Sequence, residues 1–527
     1  MKIIELGKKS VAGFYLFVMS LVLIDVLICQ NFINQICKKE FALSNIVLLL
    51  LGLLVTGVLS FLALRYYKYV RIRADRWICR RNVAFLAFLL FWIQLYVAKN
   101  VYFLTGWDVK VLVDSAQDIL NGRQCLYWYY LCYPNNVFLT YFYALIFHIN
   151  HSIGIFSTDV FAIITLQCLF SAIAAYLVYS VSYEITKSKP LSLLAFCIYV
   201  GLVGTSPWFV IPYSDGTGLL FPILIFRLYQ LAQRAEREWG RSLLWVLLGA
   251  VVFVGFKIKP QIIIVFIAIL LAKLAEIAFT KIRDRKKLLL SCLNLLICLA
   301  GLCSAIFAFS VFTERQTAIA LDDEKAFGIT HFFMMGLHDE TDGVYHADDV
   351  TFSGSFATKE ERVEANIRVA KERLTQMGVG GFIRHLTEKA LVNFGDGTFA
   401  WAEEGTFFDV ILPEPNAKIS PFLRSFYYFE GTHREGYITA MQGIWLTVLT
   451  LGVCSVIYVF KRGMGNRGSV AVILLALLGL TAFEMLFEAR ARYLFTYAPL
   501  YIICAVVGLY AVLKYVQKMI ERKGEKA

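Results

Sequence analysis

The sequence predicts an all-α polytopic membrane protein, and three observations predict it. Of 527 residues, 59% are hydrophobic and only 17% charged, whereas soluble domains run nearer ~45–50% and ~25%. The mean hydropathy is positive, at +0.64. The apolar residues also gather in runs of roughly 20, the length that crosses about 30 Å of hydrocarbon as a helix. These features rule out a disordered chain and disfavour an ordinary water-soluble enzyme.

Twelve such runs begin near residues 11, 45, 83, 158, 190, 216, 243, 261, 288, 437, 469 and 493. The N-terminal stretch up to Ser10, followed by apolar sequence from Val11, resembles a signal peptide. It lacks a small-residue cleavage site and Asp25 interrupts it, so an uncleaved first span is expected. Basic residues exceed acidic ones, 51 to 39, for a net charge of +12. They cluster in the gaps 65–81, 187–189, 234–241, 281–287, 461–467 and the tail from residue 514. Charge confined to gaps between apolar runs is the positive-inside pattern, so anionic membrane lipids are expected partners and nucleic acid is not.

A further apolar run, 137–149, is short for a span and is expected to lie flat as an interfacial helix. With that assignment every basic gap falls on the cytoplasmic side, and both termini with them. Residues 102–157 and 313–436 then share the extracytoplasmic face with the turns around Tyr213, Lys257 and Arg490. The chain divides into residues 1–82, with two additional N-terminal spans and a basic loop; 83–312, a transmembrane module; 313–436, an extracytoplasmic segment; and 437–527, the last spans and a basic tail. Inside 313–436, Val363, Ile367, Ala370, Leu374 and Met377 recur at helical spacing over 358–377, and a second helix is expected over 381–394 after the glycines of GVGG. Most of the twelve cysteines lie in apolar runs, where they act as small hydrophobes. No CxxC or Cys/His cluster occurs, so no metal site and no cofactor are expected. Cys125 and Cys132 either form a disulfide or remain thiols.

Ionisable residues at or inside spans are costly and therefore mark candidate sites. The stretch GWDVKVLVDSAQDIL places Trp107 and Asp108 just beyond the third span, with Asp114 and Asp118 following; Asp108 either caps a helix or acts chemically. The aromatic run CLYWYYLCYPNN (125–136), with Tyr133 and Asn135, forms an interfacial belt or stacks on a sugar. In PWFVIPYSDGTG (207–218), prolines and glycines around Tyr213 and Asp215 indicate irregular backbone lining a cavity, with Asp215 either a site group at the span mouth or a plain helix cap. Lys257 and Lys259 interrupt apolar sequence on the face that disfavours positive charge, as do Arg490 and Arg492 beside Tyr493; both pairs suit an anion such as a phosphate, the alternatives being lysines that snorkel to headgroups and a structural i, i+4 ion pair of Glu488 with Arg492. A carboxylate, outward cations, aromatics and a covering loop suit glycosyl transfer from a polyprenyl-phosphate sugar. There the leaving phosphate needs only cations, while one carboxylate deprotonates the acceptor hydroxyl.

In GWD after a span, YPNN before an interfacial helix, KIKP, a long late loop, and RY followed by Pro499, residues 83–500 resemble the GT-C superfamily of integral-membrane glycosyltransferases. That group includes protein O-mannosyltransferases and the lipid A aminoarabinose transferase. The resemblance implies a catalytic aspartate in the first large outer loop, here Asp108 with Asp114 as competitor. It implies six spans between that loop and the late one, as the charge pattern also gives. It further implies a polyprenyl-phosphate sugar donor and a cell-surface glycan or polymer acceptor, as in bacterial members that transfer single sugars at the cytoplasmic membrane. Asp108 is followed by Val109, so the acidic pair common in the family is absent and a metal-independent reaction is expected. A transporter, a lipid flippase and a polysaccharide polymerase are the alternatives.

Overall fold

The computed structural model describes residues 2–29, 41–69, 71, 76–125, 127–279, 285–402, 408–461 and 463–524. Parts of the basic gaps, at 70, 72–75, 281–284, 462 and 525–527, lie outside the described residues. The described residues are predominantly helical, and ten helices among them are long and apolar enough to cross a membrane. The chain is a polytopic all-α membrane protein.

Two of the twelve expected runs are shorter and irregular. Lys189–Tyr199 passes into a π-helical stretch, Val200–Gly204, and Ser214–Gly218 breaks before Phe221–Arg234. Pro207, Pro212 and Pro222 remove backbone donors here, which interrupts the helical ladder. The carbonyls freed in the break are recovered locally: the buried Gln167 amide donates to Phe209 O (3.3 Å) and Ile211 O (2.9 Å). Irregular backbone at membrane depth survives when protein groups satisfy it in this way.

The helix Lys2–Ile28 packs on Arg467–Leu486, and Asn45–Tyr69 packs on Arg434–Cys454. The two N-terminal helices are therefore laid against the C-terminal ones. A buried polar relay ties them together: Asn45 Nδ2 donates to Val26 O (2.8 Å), Gln442 Nε2 to Asn45 Oδ1 (3.0 Å), and Gly397 N to Gln442 Oε1 (2.8 Å).

At one end of the bundle the segments 102–157 and 313–436 assemble on each other. Leu104–Thr105 pairs antiparallel with Phe408–Val410, Cys125 N donates to Ala318 O (2.7 Å), and Phe327 N to Cys132 O (2.9 Å). Cys125 and Cys132 are buried free thiols in separate apolar clusters. Val137–Ile153 is a 17-residue helix, about 25 Å long at 1.5 Å per residue. The two helices expected in the late segment form one run, Lys359–Phe394, bent at Gly378 (φ 59°, ψ −172°). Thr358 caps its start, accepting from Glu361 N (3.3 Å).

Candidate functional site

Seven of the predicted residues converge at the loop end of the bundle: Trp107, Asp108, Tyr133, Tyr213, Arg490, Arg492 and Tyr493. The helix Trp107–Leu120 begins with Gly106 as its N-cap, so Asp108 is not the cap; it lies in the first turn. Its carboxylate is instead engaged from outside the helix, where Tyr213 Oη donates to Asp108 Oδ2 (2.9 Å). Tyr213 comes from the broken stretch before Ser214–Gly218, which lets its ring turn toward the first loop. Trp107 meets the Tyr213 ring edge to face, with centroids 6.4 Å apart.

The opposite wall is the turn between Arg467–Leu486 and the 3-10 helix Ala491–Tyr497. The Arg492 guanidinium lies 5.4 Å from the Trp107 ring centre, 5.7 Å from Tyr213 and 5.7 Å from Tyr493. Tyr493 Oη donates to Glu488 Oε1 (3.0 Å). Burial pushes the Glu488 carboxyl up from its ordinary value, and Arg490 and Arg492 beside it oppose that rise. Asp108 and Glu488 are therefore two carboxylates facing one cluster with two arginines.

Tyrosines close the sides. Tyr133 stands 5.1 Å from Tyr129, and Asn136 Nδ2 donates to Tyr129 Oη (2.5 Å). Burial pushes the phenols of Tyr129, Tyr133 and Tyr345 up, and the neighbouring Asp108 adds to the rise in each case. Asn135 itself is exposed on the turn Pro134–Asn136, so Asn136 is the inward member of that pair.

The remaining predicted residues sit elsewhere or below. Asp215 is fully buried and ion-paired with buried Lys259, whose ammonium lies 4.7 Å under the Tyr493 ring. This pair supports the cluster's floor. Lys257 points away, 4.9 Å from the Phe309 ring centre. Asp114 keeps company with Lys110, Asp118 and Asp409, and burial raises its carboxyl. It shares a helix with Asp108 and does not share the cluster.

Three contributors lack a clear sequence signal. Glu488 reads as an i, i+4 ion pair with Arg492, and Tyr345 lies in the soluble-looking segment. Lys389 is the third: wholly buried, it donates to Gly336 O (2.7 Å) and Phe487 O (2.5 Å), while Ala489 N donates to Gly343 O (2.8 Å). These bonds fasten the 336–344 loop to the turn that carries the arginines. Burial lowers Lys389 to about 7, against the pull of Glu484 and Glu488.

The cluster can hold an anion against Arg490 and Arg492 while presenting Asp108 as a proton acceptor beside aromatic faces. A family described as conserved hypothetical integral membrane protein matches residues 3–511. Its description agrees with the membrane-spanning architecture and names no activity. No curated protein and no solved structure matches the chain.

Proposed function

The chain belongs to that family of conserved hypothetical integral membrane proteins, and for it we propose a GT-C-type glycosyltransferase. The enzyme moves a single sugar from a polyprenyl-phosphate donor to a hydroxyl of a cell-surface glycan or polymer, at the outer face of the cytoplasmic membrane. The observation that carries this reading is the convergence of Asp108 with Arg490 and Arg492 within a ring of Trp107, Tyr213, Tyr345 and Tyr493.

Asp108 takes the proton of the acceptor hydroxyl as that oxygen attacks the anomeric carbon. The bond from that carbon to the phosphate oxygen breaks with its electron pair on the phosphate, and configuration inverts. The departing lipid phosphate is already ionised, so cations suffice and no general acid is required. A guanidinium stacked on aromatic rings presents its N–H groups along its edge, the geometry that binds phosphate oxygens. Tyr213 orients Asp108, and the Lys259–Asp215 pair supports Tyr493 from below.

The test incubates the purified protein with a panel of polyprenyl-phosphate sugars and follows the lipids by mass spectrometry. One sugar lipid is expected to be consumed with release of polyprenyl phosphate, and Asp108→Asn is expected to lower turnover by roughly 10²–10⁴ with donor binding intact. Normal turnover by that variant overturns the role of Asp108. Transport into proteoliposomes without sugar turnover overturns the enzyme in favour of a transporter. Arg492→Gln is expected to lose about 1.5–3 kcal/mol of donor interaction, about 10- to 150-fold in the donor constant.

A further inference from the structure

Outside the cluster just described, the late segment brings two imidazoles and a carboxylate together. His338 ends the stretch after Ile329–Gly336, His346 is the N-cap of Ala347–Gly354, and Asp349 lies in that helix's first turn. The chain between them turns through Asp342 and Gly343, both in the left-handed region (φ 53° and 73°). That turn folds His338 back onto His346, and the rings stand 4.0 Å apart. One donor atom from each of the three residues lies within 4.8 Å of the other two. The Nδ1 atoms of both histidines are buried and have no hydrogen-bond partner among the described residues. A buried imidazole nitrogen without a partner carries a desolvation cost that a ligand would remove.

We propose that His338, His346 and Asp349 bind a divalent transition-metal ion, with zinc as the best match. The donor set of two nitrogens and one carboxylate oxygen suits a borderline cation and not calcium or magnesium, which favour oxygen donors throughout. Zinc binds such donors at about 2.0–2.2 Å in a tetrahedron, which sets them about 3.3 Å apart. The site closes on the ion by rotamer changes of about an ångström, and the fourth position is left to water. Arg373 holds both oxygens of Asp349, NH1 to Oδ2 at 3.0 Å and NH2 to Oδ1 at 2.6 Å. A carboxylate oxygen keeps a second lone pair for the metal, so the arginine orients the ligand from behind.

The ion closes the loop 338–346 at its base. That loop carries Tyr345, whose phenol the charge of Asp108 helps to push up, and Gly343, whose carbonyl accepts from Ala489 N. The site is a structural clasp, and it stands whether or not the glycosyl-transfer reading holds.

The test uses the full chain purified in detergent through a tag without histidine, stripped with chelator and titrated with ZnCl₂. About one equivalent of zinc per chain is expected by calorimetry and by elemental analysis after desalting. His338→Ala/His346→Ala is expected to weaken binding by more than about 100-fold, since loss of an outer-shell partner alone costs about 10- to 100-fold. His151→Ala, at an exposed pair with Asp159, is expected to leave binding unchanged. Cobalt supplies a readout that needs no variant: the wild-type protein is expected to show tetrahedral d–d bands that zinc displaces, with no thiolate charge-transfer band. Absence of a retained equivalent in the wild type, equal binding by the double variant, or a thiolate band each overturns the proposal.

Discussion

Trp107 occupies the left-handed region (φ 43°) at the first position of its helix, a conformation that costs a bulky residue about 1–3 kcal/mol. The surrounding contacts hold it there: strand pairing just before it, the Tyr213 ring on one side and Arg492 on the other. Tyr213→Phe removes one hydrogen bond to a carboxylate, about 1.5–3 kcal/mol, and is expected to lower kcat at least about 10-fold in a protein that still folds, with a modestly lowered melting temperature. An unchanged kcat would show that Tyr213 does not orient Asp108. At this scale the sequence is legible where chemistry carries a cost. Asp108, Arg490 and Arg492 stand out because charge at a span mouth is expensive, and all three are in the cluster. Lys257 and Lys259 carry the same signal, yet two residues apart at a helix end they point to opposite sides, and only Lys259 reaches the cluster. Tyr345 is silent in the sequence because a tyrosine in a soluble segment costs nothing.

Helices are read best where their punctuation is strong. Thr358, the GVGG glycines and the GDG turn mark the ends of the two stretches in 359–394, and the structure bends at Gly378 within the first of those glycine groups. The backbone there lies in a region that glycine alone visits readily. Gly378→Ala is expected to cost about 1–3 kcal/mol, seen as a lowered melting temperature. Gly380→Ala, in open space with ordinary helical angles, is expected to be neutral or to stabilise by about 0.4–1 kcal/mol. Equal effects of the two would remove the kink as the cause. Punctuation is weaker inside apolar runs. Hydropathy marks the runs near 190 and 216 as spans, but a span's average does not tell whether its backbone is regular. The prolines and glycines near 207–222 are the advance sign of the break that aims Tyr213.

For the whole molecule, the grouping of 102–157 with 313–436 follows from counting charges across twelve runs, and the direct contacts between the two segments agree with it. Single cysteines introduced at Asn121 and Lys359 are expected to react with an impermeant reagent from outside intact cells; labelling only after permeabilisation would invert the topology. The junction between late segment and bundle has its own pH signature. Lys389 titrates at about 7 when folded and at 10.5 ordinarily, so between these values the unfolded chain holds a proton that the folded one lacks. Stability is therefore expected to rise with pH across that window, by up to about 1.4 kcal/mol per unit, and to be flat in this respect below it. Lys389→Met is expected to abolish the slope in detergent melts between pH 7 and 10, and a slope that persists assigns it to another group. The composite cluster also has a biosynthetic meaning. Asp108 leaves the ribosome after the third span, whereas Glu488, Arg490 and Arg492 arrive with the last. For most of its synthesis the nascent protein carries Asp108 with no arginines opposite, so the cluster is complete only as the final helix docks.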